Sequence, residues 1–359
     1  MDARWSSPDI PPALVALVDR LRRGEAAALA RCLSLVEQGG AHADAIGRLI
    51  GAASGRAIVV GFTGPPGAGK STLIDAFVGH VRAGGRTVAV AAVDPSSPIS
   101  GGSVLGDRIR MQRHTEDPGV FIRSIASRGH VGGLTETIHR VLDLMGASGR
   151  DLIVLETVGA GQSEVEIAEA ADVCVVVNAP GLGDEVQALK AGILEIADIL
   201  VVNKADLPSA RRTADQLRAM LTLRADARDT PVIETIATSG AGVAALAAAV
   251  EARAELPAEQ KRARRLRRVR RLIAQAAGRA IRDRILGLDD PRSDAALEAA
   301  LEGRCGVAEA AERVLRLLAY PAPPAPAGAP SPVTGRPDAP PGERSPPPSC
   351  PSVIPPYGK

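Results

Sequence analysis

The chain alternates short apolar runs with segments of helical periodicity over residues 56–252. Continuous apolar runs of this length are typical of strands that are buried on both faces of a parallel sheet. The predicted strands are Ile58–Phe62, Thr87–Val93, Val120–Ile122, Leu152–Glu156, Val173–Asn178, Ile199–Asn203 and Pro231–Ile236. Helical spacing predicts helices over 70–83, 133–146, 163–171, 184–196, 209–222 and 242–252. This alternation predicts an α/β fold with a doubly wound, mostly parallel sheet.

Helical patterns flank the alternating region on both sides. Residues 1–55 have apolar positions at helical spacing and predict a helical N-terminal cap. Residues 253–320 predict a helical C-terminal arm, whose first helix has an apolar face and an arginine-rich opposite face. Residues 321–359 consist mainly of Pro, Ala, Gly and Ser, and they bury too little apolar surface to offset chain entropy, so we predict a disordered tail. Its proline-rich pieces suit a proline-binding module, although a passive tail is favoured.

Composition and charge exclude several classes of protein. The net charge of +2 gives no global attraction to nucleic acid or membranes, and 2% aromatic residues supply no stacking platform for single strands. The arginine-rich run at 261–271 favours a solvated helix face, or a face for an acidic partner, over nucleic acid. The chain has no basic-then-apolar N-terminal segment, no apolar run near the membrane-spanning length, and no C-x-x-C. We therefore expect a cytoplasmic protein with reduced thiols and no membrane segment.

The strongest chemical motif lies between the first predicted strand and the following helix. It reads G-x-x-x-x-G-K-S from Gly64 to Ser71. In this motif the loop N–H groups surround phosphate oxygens, the lysine reaches the β- and γ-phosphates, and the serine hydroxyl binds Mg²⁺. The helix that begins near Lys70 adds its positive end. We predict a nucleoside triphosphate site formed by Gly64, Pro65, Pro66, Gly67, Ala68, Gly69, Lys70, Ser71 and Thr72, in which Lys70 is also catalytic.

A second motif indicates which nucleotide binds. Asn203-Lys204-Ala205-Asp206 follows a predicted strand and matches Asn-Lys-x-Asp. Asp206 can accept from the N1–H and the exocyclic amino group of guanine, a pair of donors that adenine lacks. Asn203 can hold O6 or N7 and brace the phosphate loop, while the stem of Lys204 lies over the base. The backbone N–H of Ala237, between Ile236 and Thr238, can reach O6. These residues predict binding of GTP and GDP.

Carboxylates provide candidates for a metal site. Glu156 ends a predicted strand and is a candidate magnesium ligand, while Asp94 and Asp107 are candidate switch residues. Mg²⁺ prefers oxygen ligands and keeps several waters, so one or two carboxylates suffice. Helix capping is the alternative role for Asp94 and Glu156.

The reaction requires mainly positioning and charge neutralisation, so the lack of an evident general base is tolerable. Gln162 is a candidate for orienting the attacking water, with a solvated loop residue as the alternative. Lys190 is a candidate for contact with a switch, with an exposed helix lysine as the alternative.

Longer stretches resemble one family. Residues 93–111, 156–164 and 184–198 resemble its three switch regions, and residues 29–37 resemble its N-terminal helix. The family is the MeaB/ArgK-type P-loop GTPases, which are G-protein chaperones of adenosylcobalamin-dependent acyl-CoA mutases. The resemblance extends over roughly residues 14–318.

The resemblance implies a P-loop NTPase G domain in a homodimer formed by the C-terminal helices. It also implies a GTPase that binds methylmalonyl-CoA mutase or a similar mutase, gates cofactor loading and protects the mutase. The implied ligands of Mg²⁺ are Ser71, Asp94, Asp107 and Glu156, and Lys190 relays between partner and nucleotide. Family members often have Ser-Ala where this chain has Ile236-Ala237, which leaves the backbone role intact.

Two alternative functions stay open at this point. One is a kinase that phosphorylates a transport-associated binding protein, which requires a catalytic base that the sequence does not evidently supply. The other is a metallochaperone GTPase. Such a protein is expected to carry a Cys/His-rich tract, whereas the 5 histidines form no cluster with the cysteines in the sequence.

Overall fold

The predicted α/β class is confirmed. The computed structural model describes residues 10–51, 57–94, 111–126, 133–157, 170–181, 196–222, 229–255, 258–288 and 290–319. Within these residues one 7-stranded sheet has the order β3-β2-β4-β1-β5-β6-β7, and every described strand pair is parallel. The strands are β1 Ile58–Thr63, β2 Val88–Asp94, β3 Val120–Ala126, β4 Leu152–Thr157, β5 Val173–Asn178, β6 Ile199–Val202 and β7 Val232–Glu234.

Helices precede, connect and follow these strands. The helices of the first part of the chain are α1 Pro12–Arg22, α2 Ala26–Gln38, α3 Gly40–Ile50, α4 Lys70–Ala83 and α5 Gly133–Ala147. Those of the second part are α6 Ala210–Thr222, α7 Val243–Ala254, α8 Ala258–Leu286, α9 Pro291–Leu301 and α10 Val307–Ala319. The predicted helix over 184–196 and most of that over 163–171 lie outside the described residues.

The core forms on both faces of the sheet, as the continuous apolar runs predict. Successive residues of β1 belong to different clusters: Val59 packs with α1 to α3 and α5, whereas Val60 and Phe62 pack with α4 and α7. Phe62 and Phe77 form an edge-to-face aromatic pair with ring centroids 5.4 Å apart. The predicted N-terminal helices therefore cover one face, and the helix after the phosphate loop covers the other.

Two strands, β3 and β7, differ from their predicted lengths by more than one residue. β3 continues to Ala126 beyond the apolar run because Arg123, which interrupts that run, is neutralised by Glu37 of α2. The Arg123 guanidinium donates to the Glu37 carboxylate at 2.8 and 3.2 Å. β7 is shorter than predicted because Ile236 leaves the sheet and pairs in a bridge with Ala241.

Aspartates precede three strands and fix the register at the amino edge of the sheet. The side chain of Asp172 accepts from the amide of Val59 at 2.9 Å, and that of Asp198 accepts from Cys174 at 2.9 Å. Asp151 accepts from the amide of Thr87 at 2.8 Å. Each aspartate therefore satisfies a backbone donor at the start of a neighbouring strand.

The chain divides into two compact units, one up to Gly278 and one from Arg279. In the second unit, α9 begins at Pro291, where the Asp290 side chain accepts from the amide of Arg292 at 2.9 Å. Ala299 and Val314 are buried there.

Among the described residues, no helix is both long and apolar enough to span a membrane. The predicted boundary between G domain and arm at residue 253, and the tail over 321–359, stay predictions.

Candidate functional site

The glycine-rich loop connects β1 to α4, and two neighbouring segments pack tightly against it. Gly64, Gly67 and Gly69 all have positive φ, at 140°, 78° and 85°. A Cβ atom on Gly64 would lie 2.0 Å from the carbonyl oxygen of Val177, and one on Gly69 would lie 2.4 Å from Asn203 Nδ2. Glycine is therefore required at Gly64 and Gly69 by both conformation and space. The loop is held by the end of β5 on one side and by the segment after β6 on the other.

Lys70 is buried at the first position of α4. Its Nζ donates to the carbonyl oxygens of Gly64 at 2.7 Å and Pro65 at 3.0 Å. The ammonium group therefore folds back across the loop instead of extending into solvent. At that position its positive charge adds to the N-terminal end of α4, and the two together favour an anion.

Ser71 and Glu156 meet although they are 85 residues apart in the chain. The Ser71 hydroxyl donates to Glu156 Oε1 at 2.7 Å, and both side chains are buried. β4 pairs directly with β1, with Phe62 beside Glu156, and this pairing brings the carboxylate under the loop. A buried serine hydroxyl next to a carboxylate supplies two oxygen donors suited to a hard cation.

The other predicted metal and catalytic residues are less fully described. Asp94 ends β2, which pairs with β4, so its backbone lies at the same edge of the sheet as Glu156. The side chain of Asp94 lies outside the described part of the structure. Asp107, Gln162 and Lys190 also lie outside the described residues. Of the four predicted magnesium ligands, the structure thus brings the side chains of Ser71 and Glu156 together.

Asn203 connects the phosphate loop with the segment that follows β7. Its Nδ2 donates to the carbonyl oxygen of Ala68 at 2.9 Å. Its Oδ1 accepts from the Thr235 hydroxyl at 3.1 Å and from the Ala237 amide at 3.1 Å. In this structure Asn203 thus links the phosphate loop to the segment after β7, and its role as a nucleotide ligand stays a prediction. The Ala237 amide donates to Asn203 in this structure, so its predicted contact with guanine O6 stays a prediction.

The residues after Asn203 face solvent in a strained turn. Lys204 has φ of 58°, and among the described residues it is the one non-glycine residue with positive φ. The amide of Ala205 donates to the carbonyl oxygen of Thr235 at 3.0 Å, which holds the turn in place. Lys204 and Asp206 are exposed, so both side chains are accessible to a ligand. Strain of this kind persists where the surroundings over-determine the backbone, as they commonly do at binding sites.

Two further residues of this region lie outside the motifs read from the sequence. Thr235 is buried and supports Asn203, and the signal for it was a threonine directly before the predicted Ile236–Thr238 contact. Asn178 is buried at the end of β5, and its carbonyl oxygen accepts from the Asn203 amide at 2.8 Å. Within the described structure Asn178 Nδ2 has no hydrogen-bond partner. In the sequence, the feature that points to Asn178 is a polar asparagine at the end of an apolar strand.

Two of the described cysteines, Cys32 and Cys174, are buried packing residues. Burial raises the pKa of the Cys32 thiol to about 11, and burial is also the main cause of the raised pKa of Cys174. Both therefore stay protonated thiols near neutral pH, which makes them poor nucleophiles and poor metal ligands.

Known proteins match this chain across its α/β region. Residues 29–288 match the model of a family described as methylmalonyl Co-A mutase-associated GTPase MeaB. A Pyrococcus horikoshii protein named as a GTPase is 50% identical over 232 residues, which cover 63% of this chain and 73% of that protein. The GTPase ArgK of Escherichia coli is 42% identical over 193 residues, covering 53% of this chain and 58% of its own length.

Two further matches concern a mammalian relative and the fold. The mouse protein named methylmalonic aciduria type A homolog, mitochondrial, is 42% identical over 190 residues, or 51% of this chain and 46% of its own length. A crystal structure titled LAO/AO transport system kinase superposes with a TM-score of 0.67 at 24% identity, covering 87% of this chain and 100% of that one. At this identity the structural match shows the fold alone.

Proposed function

Because the chain belongs to the MeaB family of GTPases and hydrolyses GTP to GDP, we propose that it serves an adenosylcobalamin-dependent acyl-CoA mutase as a chaperone. The mutase is methylmalonyl-CoA mutase or a close relative, and the GTP cycle gates loading of its cofactor and protects it from inactivation. The family description, which names that mutase, supports this proposal. The kinase and metallochaperone functions are the alternatives, and no described contact favours either of them.

The observation that carries the nucleotide part of the proposal is the bridge made by Asn203. One amide side chain contacts the phosphate loop at Ala68 and the guanine-side segment at Thr235 and Ala237. Binding of the base therefore has a direct mechanical connection to the loop that holds the phosphates. A protein that responds to the state of its nucleotide needs such a connection.

Each predicted site residue receives a proposed role in this arrangement. The loop from Gly64 to Thr72 binds the phosphates, and Lys70 adds positive charge at the β- and γ-phosphates. Lys204 and Asp206 read guanine beside Asn203, with Ile236, Ala237 and Thr238 completing the base pocket. Gln162 orients the attacking water, and Lys190 relays between the mutase and the nucleotide.

Mg²⁺ fits the donor set that the described residues provide. Ser71 Oγ and Glu156 Oε1 lie 2.7 Å apart, and both are buried oxygen atoms that can coordinate a cation. We assign the ion to these two residues together with Asp94 and Asp107. When bound, the ion supplies neutralisation of phosphate charge, while the protein residues fix the position of the phosphate chain.

We further propose a cytoplasmic homodimer. The helix α8 supports the dimer, since Leu266, Val269 and Ile273 lie on one face and are 56%, 49% and 63% exposed. Apolar side chains at this spacing form a stripe that a second helix can cover.

The proposed function is tested by following the survival of a mutase. Methylmalonyl-CoA mutase from the same organism is incubated under turnover conditions, alone or with this protein and either GTP or GDP. We expect slower inactivation of the mutase with the GTP-loaded protein, and no protection by a Ser71→Ala variant. Equal mutase lifetimes with and without the protein would count against the chaperone role. In parallel, γ-labelled GTP should release label only as free phosphate, since label on a protein acceptor would favour the kinase.

A further inference from the structure

Asp75 is a buried carboxylate near the phosphate loop that none of the roles above uses. It lies on α4, one helical turn after Ser71, and is 6% exposed. A buried charge requires compensating partners, because transfer from water to the protein interior disfavours the ionised form. The partners of Asp75 come from the segment just before β3 rather than from its own helix.

Those partners belong to the turn formed by residues 111–114. Arg113 Nη2 donates to Asp75 Oδ2. His114 Nε2 lies 3.2 Å from Asp75 Oδ1 and 3.1 Å from the Asp75 carbonyl oxygen. Burial, and then the nearby Arg113, lower the pKa of His114. His114 is therefore largely neutral at pH 7, and Arg113 carries the charge that balances Asp75.

The same two elements are joined a second time, farther from the loop. Arg82, near the end of α4, donates to both carboxylate oxygens of Asp117 at 2.9 Å. At a rise of 1.5 Å per residue, Asp75 lies about 6 Å from Ser71 along the helix axis, whereas Arg82 lies about 16 Å away. Within the described residues, two ion pairs thus join α4 to the segment before β3, and the Asp75–Arg113 pair is the nearer of the two to the loop.

We propose that Asp75 is a positioning residue of the GTP site. Its carboxylate accepts from Arg113, its carbonyl oxygen lies 3.1 Å from His114 Nε2, and these contacts hold the turn at 111–114 against the helix that carries Lys70 and Ser71. Met111 is buried against the same helix and contributes apolar packing. The inference rests on the proposed function, because Asp107, an assigned magnesium ligand, lies four positions before Met111 in the chain. The geometry of the magnesium site then depends on Asp75, which need not touch the ion or the nucleotide.

The test compares variants at the two ion pairs in the full-length chain. Asp75→Asn removes the charge at the near pair, and Arg82→Gln removes it at the far pair. For each variant, kcat and KM for GTP are measured over a titration of Mg²⁺, and Tm is recorded. We expect Asp75→Asn to lower kcat about ten- to a hundredfold and to raise the half-saturating Mg²⁺ concentration, since small displacements of positioning groups have effects of this size. Arg82→Gln should lower Tm and leave kcat within about twofold of wild type.

Arg113 provides a second variant of the near pair, because its side chain is 69% exposed. Arg113→Gln should lower kcat and also Tm, because it leaves the buried Asp75 carboxylate without its balancing charge. Asp75→Asn combined with Arg113→Gln removes both charges, so its Tm should exceed that of Arg113→Gln while its kcat is no worse than that of Asp75→Asn alone. If Asp75→Asn behaves like Arg82→Gln, with lowered Tm and unchanged kcat, the inference is wrong. A failure of the magnesium assignment is distinguishable, because Ser71→Ala would then keep normal Mg²⁺-dependent hydrolysis.

Discussion

The two edges of the sheet carry similar polar residues and use them differently. At the amino edge, Asp151, Asp172 and Asp198 each accept a hydrogen bond from a backbone amide of a neighbouring strand. At the carboxyl edge, Glu156 accepts from Ser71 in the first turn of α4, and Asn203 donates to the phosphate loop at Ala68. The first set completes the regular hydrogen bonding of the sheet. The second set holds irregular backbone in place, which is where ligands bind in open α/β sheets.

The difference also concerns local strain. At the carboxyl edge, Lys204 has positive φ and Gly64 permits an approach that a side chain would block. Backbone strain of this kind costs about 1–3 kcal/mol per residue and is characteristic of functional sites. At the amino edge, the described aspartates accept hydrogen bonds from backbone amides at the starts of ordinary strands. Substitutions at the carboxyl edge should therefore affect GTP binding, whereas those at the amino edge should affect stability alone.

The largest expected effect is that of Gly64→Ala. The new Cβ would lie 2.0 Å from a backbone oxygen of β5, which cannot move without disturbing the sheet. We expect a loss of about 3 kcal/mol or more in the free energy of unfolding, measured by urea denaturation, together with loss of GTP binding. Gly85→Ala is the matched control, since Gly85 also has positive φ, 80°, but its Cβ would meet no atom within 4 Å. Equal losses in the two variants would contradict the steric argument.

The next largest effect should appear at Asp206. Asp206→Asn replaces one of two acceptor oxygens with a donor that faces the 2-amino group of guanine, so affinity for GDP should fall about a hundredfold. Xanthosine diphosphate has a carbonyl oxygen at that position and should bind more tightly. The side chain is exposed, so the free energy of unfolding should stay within about 0.5 kcal/mol of wild type. Calorimetric titration with both nucleotides measures the change. Unchanged GDP affinity would contradict the assignment of Asp206 to the base pocket.

A smaller effect is expected at Thr235. Thr235→Val removes the hydroxyl that donates to Asn203 Oδ1, while the amide of Ala237 continues to donate to that oxygen. Stability should fall by about 1 kcal/mol, and GDP affinity should fall a few-fold because Asn203 loses part of its support. Thr87→Val at the amino edge is the control, since its hydroxyl donates to Asp151 at 2.8 Å. That variant should lose stability and keep wild-type affinity for GDP.

The smallest effect is a pH dependence at Asp151. Hydrogen bonding from the backbone of Thr87 is the main cause that lowers the pKa of this carboxyl group in the folded protein. A lowered folded pKa stabilises the protein above the unfolded pKa of about 3.9, and that contribution is lost as pH falls through the folded pKa. Asp151→Asn should therefore cost about 0.5 kcal/mol at pH 7, and the difference should vanish at low pH.

Urea unfolding curves at several pH values measure this difference. GTP hydrolysis by Asp151→Asn should equal that of wild type, because the residue lies at the amino edge. A change in the kcat of Asp151→Asn without a change in its stability would contradict the difference proposed between the two edges of the sheet.

Local patterns were sufficient for the elements of the fold. Continuous apolar runs predict strands because a strand covered on both faces needs no polar alternation, and β5 and β6 are buried along their whole length. The phosphate loop was equally predictable from the sequence, since all the glycines that it requires lie within one short segment. The end of β3 was not predictable, because Arg123 interrupts the apolar run and its charge is balanced by Glu37, which belongs to a helix distant in the chain.

The sequence by itself determined the positions of the described strands, the family, the phosphate-loop motif and the guanine motif, but not the ends of β3 and β7. Only the tertiary structure decided that Ser71 meets Glu156, that Thr235 supports Asn203 and that Asp75 is neutralised by Arg113. The physical reason is that periodicity and motifs report the conformation of neighbouring residues, whereas these contacts depend on which strands pair. Strand order follows from packing of the whole sheet, and residues 85 positions apart meet only after that order is set.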